Sequence, residues 1–363
     1  MRGRISVGPC DRRSHGDHQR CRSELKPGDG NGNGSLRPRL IAVGRGCQRS
    51  GQRGQQRNDD GADRDPPGPE HCSAAGINGD AFSDEVKGQT LELVRRDIGK
   101  LDLVIYSLAA PRRLHPRKGK AFQAVLKTIG EPYRGKTVDF ASGAVTEAAI
   151  EAADEEEVAA TIAVMGGEDW RFWIDALGEQ DLLAEGARTL AYSYVGPKLT
   201  WPIYRQGTIG AAKKDLERTA GELNALLASR LGGGARVSVN KAVVTQASVA
   251  IPVVPLYISL LLRVMKQKGV HEGCIEQMQR LCFGHLANGR ELALDGEGLM
   301  RLDDLELRDD VQTAVAGLWE KVSTENLEEL SDIAGFRREF NNLFGFDLEG
   351  VDYAQPTETD LPL

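Results

Sequence analysis

Apolar and polar residues fall into ordered blocks only from residue 77 onward, and the blocks switch between helix and strand periodicity. SDEVKGQTLELVRRDIG (residues 83–99) opens on a serine cap with acids beside it. It places Val86, Thr90, Leu91 and Val94 on one side and stops at Gly99, which predicts an amphipathic helix. LDLVIYSLA (101–109) is apolar on both faces, as a central strand of a parallel sheet is. Residues 111–157 turn polar and read as an insertion. Within them TVDFASGAVTEAAI (137–150) alternates about a Ser-Gly turn and predicts a β-hairpin flap. Residues 155–183 read as helix with Trp170 and Trp173 facing the core. TLAYSYVG (189–196) reads as the next buried strand, 210–231 as a long amphipathic helix, and RVSVNKAVVT (236–245) as another strand. IPVVPLYISLLLRVMKQKG (251–269) predicts a buried helix, and residues 271–349 further helices. Helix then buried strand, repeated, is the grammar of a doubly wound α/β sheet, whose ligands lie beyond the strand C-termini.

Residues 1–72 break the pattern. They hold no Phe, Trp or Tyr, and 14 Lys+Arg stand against 9 Asp+Glu in a chain of net charge −7. So little apolar surface cannot offset chain entropy, and residues 1–76 are expected to be disordered. Only LIAVG (40–44) resembles a strand entering a glycine turn, and nothing periodic follows it. The segment reads as an out-of-frame product joined to an ordered protein, or as a basic tail. The expected organisation is an atypical segment 1–76, an α/β domain 77–351 with the insertion 111–157, and a loose tail 352–363.

Composition excludes several classes. Hydrophobic content of 40% with 27% charge is that of a globular chain, and a sequence pI near 5.6 argues against a nucleic-acid binder. The first residues have no apolar signal core, and the apolar run 242–265 is interrupted by Thr245, Gln246, Ser248 and two prolines. No membrane span and a cytoplasmic setting follow as expectations. The six cysteines form no CxxC pair, so no metal site is expected and the thiols read as incidental.

The candidate chemistry lies in AYSYVGPKLTWPIYRQGTIGAAKKDLE (191–217), with Tyr194, Tyr204, Lys213 and Lys214. A phenol gives a proton to an oxygen gaining negative charge; a nearby ammonium lowers the phenol pKa and holds a cofactor ribose. Taken alone, the spacing fits a structural tyrosine as well. GPKLTWPIYRQGTIGAAKKDLE, however, closely resembles the signature of the trans-2-enoyl thioester reductases of the FabV type and of the related trans-2-enoyl-CoA reductases. These use a Tyr-x8-Lys pair. INGDAFSDE (77–85), VIYSLAAPRR (104–113), VMGGEDW (164–170), KAVVTQAS (241–248) and HEGCIEQ (271–277) extend the resemblance from residue 77 to the C-terminus.

The resemblance implies a Rossmann-type, short-chain-dehydrogenase-like fold and NADH-dependent reduction of an enoyl thioester carried by an acyl carrier protein or CoA. Tyr204 and Lys213 would be catalytic, with Lys213 on the nicotinamide ribose and Lys214 the less favoured neighbour. Tyr194 would hold the thioester carbonyl. Asp80 and Ala81 would meet the adenine, Leu108 and Ala109 the cofactor backbone, and Val243, Val244 and Thr245 the carboxamide. By position alone Asp80 also fits a helix cap. Arg112, Arg113, Arg117, Lys118 and Lys120 face either substrate phosphates or solvent. The family is typically monomeric. One departure stands out: the strand, Gly-rich phosphate loop and acidic strand end that open the family are missing from residues 1–76. The alternatives are therefore a catalytically dead remnant that only binds thioesters, or a carbonyl-reducing dehydrogenase using the same Tyr/Lys pair.

Overall fold

A computed structural model of the chain describes residues 41–43, 76–286 and 293–355. The expected disorder of residues 1–76 and the loose tail therefore lie largely outside the described residues. Two compact units emerge, one from Met1–Tyr133, Ile150–Asn240 and Leu281–Leu302, the other from Arg134–Ala149, Lys241–Arg280 and Asp303–Leu363.

The first unit holds a five-stranded sheet in the order Ile41–Val43, Leu101–Tyr106, Leu183–Ser193, Gly234–Val239, Met300–Arg301. The last four run parallel, and helices separate the central three in sequence, which is the α/β arrangement the pattern predicts. Ile41–Val43 pairs antiparallel with Leu103–Ile105. A short strand at an edge is one way chains blunt an otherwise open ladder.

Burial explains the order. Leu101, Val104, Ile105 and Tyr106 are buried, as are Trp170, Trp173, Ile174 and Leu177 of the helix Glu168–Glu179. Each buried indole removes roughly 200 Å² from water, on the order of 5 kcal/mol before ordering entropy is subtracted. The Trp170 ring nitrogen donates to Thr189 Oγ1 at 2.9 Å, and that hydroxyl donates to the Val104 carbonyl at 3.0 Å. One polar chain thus fastens this helix to two strands.

Helix ends follow local chemistry. Ser83 accepts from the Val86 amide and caps the helix Asp84–Leu93, whose last turn widens into a π-turn, Val94–Ile98. Asp154 and Glu157 form a capping box at Glu155–Met165. The helix read over 155–183 is in fact two, broken at Gly166 and Gly167. The Gly167 amide donates to Asp215 at 2.9 Å, and a Cβ there would lie 2.1 Å from Thr219 Oγ1. The break lets this corner press onto the helix Thr208–Leu231.

Two strand expectations are corrected. The strand read as 189–196 begins at Leu183 and ends at Ser193. The strand read as 236–245 ends at Val239, because Thr245 instead caps a short helix, Gln246–Ala250, with Ser248 completing a capping box. The two-residue strand Met300–Arg301, inside a run read as helical, left no periodic trace.

The strands Tyr133–Val138 and Val145–Ile150, of which residues 134–149 fall in the second unit, form the expected hairpin, closed by Asp139, Ser142 and Gly143. The helix Val254–Gln267 is buried over nearly its whole length. Asp309–Lys321 and Ile333–Asn342 supply the expected C-terminal helices. No described helix is long and apolar enough to cross a membrane.

Candidate active site

Parallel pairing aligns the C-termini of the central strands. Tyr106 lies opposite Ala191, and Ser193 opposite Val239. The chain leaves the sheet at this edge, and Tyr194 is the first residue past its strand.

Residues 196–207 wind as successive turns. The Tyr204 amide donates to Thr200, the Gln206 amide to Trp201, and the Trp201 ring nitrogen to the Gly196 carbonyl. This winding returns Tyr204 to Tyr194, and their rings meet edge to face with centroids 4.9 Å apart and planes at 81°. Gly196 has φ +71°, and a Cβ there would lie 2.9 Å from the Tyr194 hydroxyl. Gly210 is tighter still: a Cβ would lie 2.0 Å from the Arg205 carbonyl oxygen and 2.6 Å from that of Tyr204. The glycines between Tyr204 and Lys213 are thus explained by a backbone that lies directly on the helix start.

Lys213 sits in the second turn of Thr208–Leu231, half-buried, and its Nζ donates to the Tyr192 carbonyl at 3.2 Å. Lys214 is exposed. Burial lowers the Lys213 ammonium to about 8, against the pull of Glu217, and pushes the Tyr204 phenol up to about 12. The expected lowering of the phenol by a neighbouring ammonium is not seen: desolvation alone sets the direction of the Tyr204 shift. Tyr204 is a neutral hydroxyl at pH 7, a hydrogen-bond and proton donor rather than a base. The buried Ser193 hydroxyl at the same strand end has no partner among the described residues, which suits an edge built to meet a polar ligand.

Leu108 is buried and Ala109 exposed, both just past the strand end Tyr106. Asp80 accepts from the Phe82 amide at 3.1 Å, and its carbonyl receives the Ser83 amide and hydroxyl. Ser83, not Asp80, is the cap. Lys87 fixes the same turn, donating to the carbonyls of Ala81 and Phe82 and pairing with Asp169 at 2.8 Å. Sequence reasoning missed Lys87, which looks like a surface residue yet is 4% exposed. Tyr106 and Arg113 approach the same Asp169 carboxylate, whose pKa burial raises in spite of the cations.

Arg113 corrects an expectation. It is buried, donating to the Ala163 carbonyl and to Glu168 at 2.7 and 2.9 Å, so it faces no phosphate. Val243, Val244 and Thr245 belong to the second unit. The preceding Ala242 amide donates to Glu306 at 2.6 Å, and Tyr257 donates to the same buried carboxylate at 2.7 Å. Glu306 was invisible in the sequence because it lies among acids read as helix surface.

A parallel α/β sheet with a phenol pair and a half-buried lysine at its ligand edge defines a Rossmann-type reductase. A family model described as the trans-2-enoyl-CoA reductase catalytic region matches residues 69–286, and one described as an enoyl reductase FAD binding domain matches 294–357. An enoyl-[acyl-carrier-protein] reductase [NADH] of Opitutus terrae is 56% identical over 290 residues, covering 80% of this chain and 73% of the relative. One of Flavobacterium johnsoniae is 57% identical over 284 residues, covering 78% and 72%. The crystal structure of Clostridium acetobutulicum trans-2-enoyl-CoA reductase in complex with NADH superposes with TM-score 0.75 at 45% identity, over 77% of this chain and 71% of that one. The chain belongs to this enoyl reductase family. The residues of the second matched region do not fit a flavin dinucleotide: the helix Asp309–Lys321 opens on two aspartates, which would repel a pyrophosphate, and no glycine lies between the strand Met300–Arg301 and that helix.

Proposed function

We propose that this chain reduces trans-2-enoyl thioesters to acyl thioesters with NADH, in fatty acid synthesis. The observation that carries the reading is the edge-to-face contact of Tyr194 with Tyr204 at the C-terminal edge of the parallel sheet, where Lys213 bonds the Tyr192 carbonyl two residues before Tyr194. NADH, when bound, supplies the hydride that enters the β-carbon of the substrate. Tyr194 directs its hydroxyl at the thioester carbonyl. Tyr204, neutral at pH 7, stabilises the oxygen that gains charge and gives it a proton. Lys213 orients the ribose from its anchor on the Tyr192 carbonyl. Fixed donors of this kind are worth about 3–4 kcal/mol each toward a developing oxyanion. Leu108 and Ala109, and the Asp80–Ala81 turn held by Lys87, would carry the rest of the dinucleotide. The substrate is an acyl-carrier or CoA thioester, and the reading takes the enzyme as a cytoplasmic monomer, which sedimentation checks. Loss of NADH absorbance with crotonyl-CoA, giving butyryl-CoA, tests the reaction; no turnover above background contradicts it.

A second reading has one observation in its favour. The catalytic-region match starts at residue 69, and the sequence before it lacks the phosphate-loop motif that the resemblance leads one to expect. On that reading the chain binds thioesters without reducing them. Titration with NADH followed by nicotinamide fluorescence separates the two, since only a reductase holds the dinucleotide.

A further inference from the structure

The strands Arg112–Leu114 and Ala121–Gln123 pair antiparallel, the first of them following in sequence shortly after the C-terminal end of the strand Leu101–Tyr106. Alternation sorts their side chains. Arg113 points inward and is buried, whereas Arg112 and Leu114 are exposed, opposite Gln123 and Ala121, which are exposed too. The connecting loop adds exposed Arg117, Lys118 and Lys120, so residues 112–120 carry five cations and no acid in a chain of net charge −7. The cations are presented by a firm base. His115, 1% exposed, accepts from the Arg117 and Lys118 amides at 3.2 and 3.3 Å and lies 2.9 Å from Glu168 through its other nitrogen. Arg117 sits 3.7 Å over the Phe172 ring, and Lys118 and Lys120 flank Phe122. The pair of Lys120 with Glu156 at 3.7 Å joins two exposed groups and holds little.

We propose that this hairpin is the docking surface for an acidic acyl-carrier protein, a proposal that rests on the reduction of enoyl thioesters argued above. Leu114, 56% exposed amid the cations, favours a protein over the phosphates of CoA. An apolar side chain has no partner on a phosphate but packs against an acidic helix, while surrounding charges steer the encounter.

The test uses the full chain and a fluorescently labelled carrier protein without its prosthetic arm, so that binding is read apart from turnover. The parent chain should bind with an affinity that falls steeply with salt. R112E/R117E/K118E should bind on the order of tenfold or more weakly. Leu114→Asp should also weaken binding, and Lys100→Glu, just before the N-terminal end of the strand Leu101–Tyr106, should not. The KM for crotonyl-CoA should stay within about twofold in the charge-reversed variant. Carrier binding equal to the parent's in that variant overturns the proposal. So does an equal rise in KM for crotonyl-CoA, which would make the patch a phosphate site. A chain that binds the carrier but reduces no thioester refutes the proposed reaction and leaves the docking surface standing.

Discussion

Lys213 Nζ donates to the main-chain oxygen of Tyr192 at 3.2 Å, so the helix Thr208–Leu231 is tied to the strand that delivers Tyr194. Lys214, one residue on, is turned about 100° around the helix and stands in solvent. Two lysines adjacent in sequence are thereby given different surroundings, which the repeat KK could not distinguish.

Lys213→Ala should raise the KM for NADH and lower kcat together, since both the proposed ribose contact and the charge go. Lys214→Ala should change either by no more than about twofold. Steady-state kinetics with NADH varied at saturating enoyl-CoA checks the order; the reverse order would place the wrong lysine at the cofactor.

Because burial brings Lys213 to about 8, kcat/KM should fall as pH rises through that value and the ammonium is lost. Lys213→Arg keeps its charge, so its remaining activity should lack that limb. A limb near 8 that persists in the arginine variant assigns it to another group. Stability follows with a definite sign. Between about 8 and the ordinary 10.5 the unfolded chain binds a proton the folded one has lost, so the cost of burying the charge is full below 8 and fades above it. Lys213→Met should therefore melt higher than the parent at pH 7 and lose that advantage towards pH 10.5.

The elements were legible where a period ran for a full helix or strand, as in residues 101–106, 208–231 and 254–267. Expectations failed where a local contact ended an element early. Asp215 and Thr219 meeting Gly166 and Gly167, and Thr245 capping a new helix, are contacts with no sequence signature. The Tyr/Lys pairing rests on the resemblance, since spacing says nothing of burial. Lys87 and Glu306 were illegible because a charged letter does not reveal whether its carboxylate or ammonium is buried and bonded.

Gly210→Ala inserts a methyl 2.0 Å from the Arg205 carbonyl and should displace Tyr204. A shift of about 1 Å at a reacting group costs roughly a hundredfold in rate. Gly221→Ala lies in the same helix with no atom near its Cβ and should stabilise by about 0.5–1 kcal/mol with unchanged turnover. Turnover and melting temperature of the two variants check both arms.

Asp169→Ala leaves Lys87 buried without its carboxylate and should cost about 3–5 kcal/mol in denaturant unfolding. Lys87→Met with Asp169→Leu should recover most of that loss. A double variant as unstable as the single one would show that packing, not the lone charge, sets the cost.

The central claim is that the Tyr204 hydroxyl acts on the oxygen that gains charge. Tyr204→Phe keeps the ring against Tyr194 and removes only that donor. Turnover of crotonyl-CoA at saturating NADH should fall on the order of a hundredfold or more, with the melting temperature and NADH affinity unchanged. Turnover within about twofold of the parent would contradict the account.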